Sequence, residues 1–158
     1  MDFMEMGYDL FLDKDRLRSK FIAADFFEPS SDLAQFGGNM DMIYAGSFLH
    51  LFDWSRQVAA CKRIISLLRP TPGALFVGRQ IGSANPGEYK HRVGDDGMLY
   101  RHDEATFRRM WEEVAKETGT EWDVEVSLKP IEGANATVNP AEWMGDEVKR
   151  LSFSVRRR

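Results

Sequence analysis

"DMIYAGSFLHLFDW", residues 41–54, is the stretch on which the fold turns. Asp41 opens it, and Met42, Ile43 and Tyr44 form an apolar run that reads as a buried strand ending at Ala45. Three small residues come next, Ala45, Gly46 and Ser47, and then His50 among Phe48, Leu49, Leu51 and Phe52. Small side chains at a strand tip let a flat or bulky ligand lie against backbone. The large residues just beyond can wall a pocket. Asp53 suits the N-cap of a helix over 54–68, where its carboxylate would accept free backbone N–H groups. Val58, Cys61, Ile65 and Leu68 recur there at helical spacing, and Pro70 and Pro72 stop the helix.

On the C-terminal side, "ALFVGRQ" (74–80) is a further buried strand. Residues 81–101 are polar and glycine-rich, which reads as a long loop, either a lid or a disordered excursion. Asp103 can cap a helix whose face is Phe107, Met110 or Trp111, Val114 and Thr118. Trp122, Val124, Val126 and Leu128 alternate, as in a strand with one solvated face. Leu151, Phe153 and Val155 give a last strand, after a connector over 129–147. On the N-terminal side, Phe3 to Leu12 reads as a helix, and "KFIAADFF" (20–27) as a short buried strand. Helix and strand alternate, which implies an α/β fold with a parallel sheet, and the final strand pair implies an antiparallel hairpin at one edge. The expectation is one domain: helix and connector over 1–19, an α/β core over 20–128, and a connector with the last strand over 129–158.

Composition narrows the function classes. The 21 basic and 25 acidic residues leave a net charge of −4, which argues against nucleic acid as a partner. The run Arg156 to Arg158 reads as a solvated terminus. Cys61 is the only cysteine, so no internal disulfide can form, and this fits a reducing, cytoplasmic setting. No apolar stretch reaches membrane-spanning length and nothing at the N-terminus resembles a signal peptide, so the match at Asn135-Ala136-Thr137 to the glycosylation pattern reads as chance. The acids of "GDDG" (94–97) have no partners at metal-ligand spacing, and no metal site is expected. Neither a G-x-S-x-G nucleophile motif nor a phosphate-binding loop is present.

In an open parallel sheet ligands bind beyond the carboxyl ends of the strands. Three such ends are legible: Ala24-Asp25-Phe26, Ala45-Gly46-Ser47 and Gly78-Arg79-Gln80. Asp25 could accept a hydrogen bond from an exocyclic amine while Phe26 covers a ring, or Asp25 could simply start a turn. His50 could act as a base or hydrogen-bonding group, or be a partly buried histidine at a helix start. Arg79 and Gln80 could reach a carboxylate or bond the lid. Phe48, Leu49, Phe52 and Trp54 are more often core than ligand box.

Four stretches together resemble a known family: "GYDLFLDKDRLRSKFIAADFFEP", "DMIYAGSFLHLFDW", "CKRIISLLRPTPGALFVGRQIG" and "LYRHDEATFRRMWEE". They look like class I S-adenosylmethionine-dependent methyltransferases, most of all the small fungal enzymes of meroterpenoid-type secondary metabolism. The resemblance implies a Rossmann-like sheet of order 3-2-1-4-5-7-6, here represented by family strands three to seven. It implies that Ala24, Asp25 and Phe26 lie at the adenine end of the cofactor, and Ala45, Gly46 and Ser47 beside its methionine and sulfonium. It implies a small-molecule methyl acceptor facing Phe48, Phe52, Trp54, Arg79 and Gln80, with His50 as the catalytic candidate. The family's G-x-G-x-G loop and the acidic residue ending its second strand are absent.

With strands one and two missing, three and four would stand about 14 Å apart, at roughly 4.8 Å per strand. Residues 20–27 are therefore expected to dock beside 41–45, to pack loosely, or to pair with another chain, self-association through exposed strand edges included. Weak cofactor binding and impaired transfer by this chain alone are expected; the alternative is a non-catalytic pairing module.

Overall fold

The computed structural model describes residues 3–91, 97–131 and 147–158. They form two compact units, Met1–Gln35 and Phe36–Arg158. In the first unit, helix α1 spans Phe3–Phe11. The Tyr8 ring meets Phe21 edge-on at 5.5 Å. The strand expected over 20–27 is not formed; this segment has no ladder partner among the described residues. An extended run becomes a strand only when a neighbour takes its N–H and C=O groups. Its apolar side chains serve local aromatic contacts instead, Phe21 with Tyr8 and Phe26 with Phe27.

The second unit carries the sheet. Its elements are β1 (Met42–Gly46), a one-turn 3-10 helix (Leu49–Leu51), α2 (Trp54–Leu67), β2 (Leu75–Ser83), β3 (Gly87–Lys90), β4 (Met98–Arg101), α3 (Glu104–Thr118), β5 (Trp122–Lys129) and β6 (Val148–Arg157). The main sheet has the order β1-β2-β6-β5. β1 and β2 are parallel, and β6 runs antiparallel to β2 and to β5. This is the 4-5-7-6 half of the order that the resemblance implies. The antiparallel pair is present, but β6 lies inside the sheet and β5 takes the edge.

The helices begin where the sequence marks them. Asp53 accepts from the Arg56 N–H at 2.8 Å. Asp103 and Thr106 form a reciprocal capping box at the start of α3. The core lies between the sheet and α2 and α3. Phe76, Phe107, Met110, Trp111, Val114, Leu151 and Val155 are all but fully buried. Phe153 joins Phe76 at 4.9 Å and stacks on Phe107 at 4.8 Å. Two glycines permit this packing. A Cβ on Gly78 would stand 2.2 Å from the Ala45 carbonyl oxygen and 2.5 Å from the Phe153 ring. A Cβ on Gly82 would stand 2.5 Å from the His102 carbonyl oxygen, where the chain enters α3.

Two further expectations are corrected. Residues 81–101 are not a plain loop: β2 continues to Ser83, and β3 and β4 pair as an antiparallel hairpin. Residues 92–96, with most of the "GDDG" run, lie outside the described residues, as do 132–146 with the glycosylation pattern. Nor is Arg156 to Arg158 a solvated tail. Arg156 and Arg157 are ladder residues of β6, Arg157 lies over the Trp122 ring, and Arg158 pairs with Asp123 at 2.6 Å.

The two edges of the sheet differ. At β5, side chains of α3 occupy two of the outer polar groups: Arg108 donates to the Val124 carbonyl, and Glu104 accepts from the Leu128 N–H at 2.9 Å. At β1, no strand pairs with the outer edge among the described residues, and Met42 and Tyr44 are 59% and 60% exposed.

Replacing Gly78 with alanine should lower the unfolding free energy by about 2–3 kcal/mol, because neither a ladder carbonyl nor a core ring can step aside freely. A reduced urea midpoint at unchanged slope is the expected result. A midpoint equal to the parent's would show that the Phe153 ring has room to move.

Candidate active site

The site candidates of the second unit divide between two faces of the sheet. Ala45 aligns with Gly78 on the helix-covered face, and Gly46 aligns with Arg79 on the other. Gln80 shares the covered face with Gly78, so Arg79 and Gln80 point opposite ways and cannot wall one pocket together. Arg79 and Ser47 are exposed. The Ser47 N–H donates to the Arg79 carbonyl at 2.7 Å, which ties the β1 tip to β2. Ser47 has φ +55°, a left-handed conformation that costs a non-glycine residue about 1 kcal/mol and often marks a functional turn. It turns the chain sharply out of the sheet. Gly46 is exposed, and the end of the Tyr44 ring lies where its side chain would be, 2.9 Å from a built Cβ. Tyr44 is a rotatable surface ring, so this tip is open but not a preformed pocket.

Several polar side chains of the second unit are buried. The 49–51 turn carries His50, and three hydrogen bonds tie the end of that turn to α2 and β4. Gln57, fully buried on α2, donates to the carbonyls of Phe52 and Tyr100 at 2.9 and 2.8 Å. The Tyr100 N–H donates to the Phe52 carbonyl at 2.9 Å, joining the turn to β4. His50 is 9% exposed, and its Nδ1 is buried without a hydrogen-bond partner. Burial, reinforced by the nearby Arg101 charge, lowers its pKa to about 4, so the ring is neutral near pH 7. Gln80 is 4% exposed, and neither its amide nitrogen nor its oxygen has a partner. Leaving a buried polar group unpaired costs about 1–3 kcal/mol, which a polar ligand recovers. Arg101 is buried and lies over the Tyr89 ring at 4.5 Å.

The aromatic wall is present in part. Phe48 and Phe52 meet edge-on at 5.2 Å. Trp54 turns instead toward α3 and β4: it donates to Glu113 at 2.9 Å and packs on Tyr100 and His102. It lines an open groove of about 650 Å³ with Tyr100, Arg109 and Glu112. A second cavity, about 580 Å³, opens beside β5 between Trp111 and Trp122. Ala24, Asp25 and Phe26 belong to the first unit, where Asp25 is exposed and its carboxylate accepts from the Phe27 N–H at 2.9 Å. That bond is the turn reading of Asp25. Among the described residues, no three His, Cys, Asp or Glu side chains are grouped to hold a metal ion.

Sequence reasoning missed Gln57, Arg101 and His102. His102 is fully buried, bonded through Nδ1 to Thr106 at 3.2 Å and boxed by Trp54, Tyr100 and Phe107. Burial lowers its pKa to about 3, against the opposing pull of the Asp103 carboxylate. The available signal was its place next to a strong N-cap, which packs the preceding residue into the core.

Comparison with known proteins adds the decisive observation. The chain is 40% identical over 168 aligned positions to "O-methyltransferase phiE" of Fungal sp. (strain ATCC 74256), an alignment covering 98% of this chain and 55% of that protein. Along its length this chain is similar to fungal O-methyltransferases, of which it spans about half. Its fold is shared with a Burkholderia thailandensis 1,6-didemethyltoxoflavin-N1-methyltransferase solved with S-adenosylhomocysteine, at TM-score 0.59 and 14% identity over 95% of this chain and 56% of the other. It is also shared with the 4+2 cyclase SpnF, at TM-score 0.62 and 11% identity over 96% and 60% of the two chains. The methyltransferase fold therefore serves other chemistry too, and the reaction must be argued from the site. No family model matches the sequence. The chain spans about half the length of the curated relatives it matches.

The relatives are methyltransferases and a structural neighbour holds S-adenosylhomocysteine, which points to S-adenosylmethionine as the carrier. The β1 tip offers an exposed serine hydroxyl, a side-chain-free residue at Gly46, and strand-end backbone. Nothing in this sequence supplies the glycine-rich wall.

The two buried histidines set a pH dependence. Both hold folded values below the unfolded 6.5, so between about pH 6.5 and 4 the unfolded chain binds more protons than the folded one. Their contribution to stability is complete above about pH 6.5 and is lost on acidification, by roughly 1.4 kcal/mol per pH unit for each ring. From pH 7 to 5 the unfolding free energy should fall by about 2 kcal/mol per histidine. Urea titrations at pH 7, 6 and 5 check this, and His102→Phe should remove about half the slope.

Proposed function

We propose that this chain carries the acceptor side of an S-adenosylmethionine-dependent methyltransferase acting on a small molecule of secondary-metabolite type. The observation that supports the reading most is that the chain just beyond the β1 tip and near the end of β2 carries buried polar groups without partners, the His50 ring nitrogen and the Gln80 amide. The carrier, when bound, supplies an activated methyl group on sulfur; the protein has only to hold an acceptor in line and let its proton leave.

In this proposal Ala45, Gly46 and Ser47 hold the methionine end of the carrier against strand-tip backbone. Phe48 and Phe52 exclude water from the acceptor. Gln80 offers both a donor and an acceptor to the polar group of the substrate. His50, neutral at pH 7, accepts a hydrogen bond at Nδ1 and orients a hydroxyl; with a value near 4 it is too weak a base to retain the proton. Trp54 and Arg79 are more distant: Trp54 borders the groove by α3, and Arg79 faces the opposite side of the sheet. For Ala24, Asp25 and Phe26 the proposed role remains the adenine end, on the resemblance alone. A cytoplasmic setting fits the single buried, unpaired Cys61. A second reading, a non-catalytic pairing module, draws on the bare outer edge of β1.

One wall of a cradle binds weakly. Titration of the isotope-labelled chain with S-adenosylhomocysteine should shift amide resonances of residues 45–47 and 78–80 only at millimolar ligand. Unmoved resonances at the β1 tip would overturn the site. Saturation at micromolar ligand would overturn the half-cradle reading while keeping the site.

A further inference from the structure

We propose that Gln57 is a positioning residue for the methyl acceptor. Its one buried amide holds the main chain of Phe52 and of β4 together, and so sets where the aromatic wall stands. The inference rests on the reading that Phe48 and Phe52 face the acceptor, and it adds the residue that acts through them.

Gln57 lies near the start of α2, five residues after Phe52, and is fully buried. A helical side chain leans toward the N-terminus and covers the turn before its own Cα. The amide therefore reaches back to the Phe52 carbonyl at 2.9 Å, and across to the Tyr100 carbonyl at 2.8 Å. A primary amide carries two N–H groups on one nitrogen, and both are used. The two acceptors also decide which end of the amide faces them, because its oxygen in that place would meet two carbonyls. That oxygen is left buried without a partner. An apolar side chain of the same length would fill the space without this cost, so packing alone does not account for the amide.

Phe52 is held at both main-chain groups. Its N–H donates to the Leu49 carbonyl at 3.1 Å and closes the turn that carries His50. Its carbonyl accepts twice, from Gln57 and from the Tyr100 N–H at 2.9 Å. With the backbone fixed, the Phe52 ring is restricted to a few staggered positions, and it meets Phe48 at 5.2 Å. Tyr100 lies 43 residues beyond Gln57, on β4 of the hairpin. One side chain thus ties the acceptor wall to a segment that is remote in sequence.

Amide spectra of the isotope-labelled full chain test the proposal, with p-cresol as a phenolic acceptor probe and S-adenosylhomocysteine as the carrier probe. In the parent, p-cresol should shift the resonances of Phe48 and Phe52. Gln57→Met keeps the length and removes the donors. It should weaken that response about threefold or more and speed exchange of the Tyr100 amide about tenfold, while the S-adenosylhomocysteine response at 45–47 stays that of the parent. Gln57→Glu should respond less than the parent at pH 8, where a carboxylate faces two carbonyls, and closer to it at pH 6, where the acid form restores one donor. The neighbouring Asp53, His50 and Arg101 each keep one charge state over that range. A p-cresol response in Gln57→Met equal to the parent's overturns the proposal. So does a parent-like response of Gln57→Glu at both pH values, which decides the matter should Gln57→Met fail to fold. Phe48 and Phe52 resonances that p-cresol leaves unmoved in the parent overturn the acceptor-side reading, and this assignment with it.

Discussion

The crossing of the Phe153 ring over Gly78 is the contact on which the second unit depends. β2 is shared by two ladders, parallel to β1 on one side and antiparallel to β6 on the other. Gly78 sits in the middle of both, opposite Ala45 and opposite Phe153. Because it has no side chain, Phe153 can lie between Phe76 and Phe107, and α3 is drawn onto the sheet through that aromatic stack. Phe76 and Trp122 extend the same layer through Trp111. The β1 tip and the 49–51 turn inherit their positions from this packing, since both are fixed to β2 and β4 by main-chain bonds.

Much of this architecture was legible in the sequence because local and global signals agree. Asp53 and Asp103 cap the helices they were expected to cap, and the alternation from Trp122 to Leu128 is the observed strand. The errors share a cause. An apolar run such as 20–27 specifies burial, not pairing, and its partner strand is a property of the rest of the sheet. The β3–β4 hairpin was hidden because its strands are four residues each and flanked by glycine and charge. Arg156 to Arg158 looked like a tail because charge conceals a strand whose neighbours are Asp123 and Trp122.

The candidate site was legible as a place more than as a set of roles. The small residues of the β1 tip do stand at a parallel strand end, open to solvent. Gln80 was named beside Arg79, yet a strand sends adjacent residues to opposite faces, and only Gln80 is buried. His50 was found by type, but its depressed pKa follows from burial and from Arg101, a residue brought near only by the unrecognised hairpin. Gln57 could not be read as a clamp, because its two acceptors, Phe52 and Tyr100, lie far apart in sequence.

The two side chains that α3 lays on β5 bear on how that margin meets a foreign strand. Arg108 takes the Val124 carbonyl and Glu104 takes the Leu128 N–H, so two of the groups that would recruit a newcomer are spent within the chain. An intruder would have to displace both before it could bond there, and the first step toward aggregation at that side is made costlier by the helix itself.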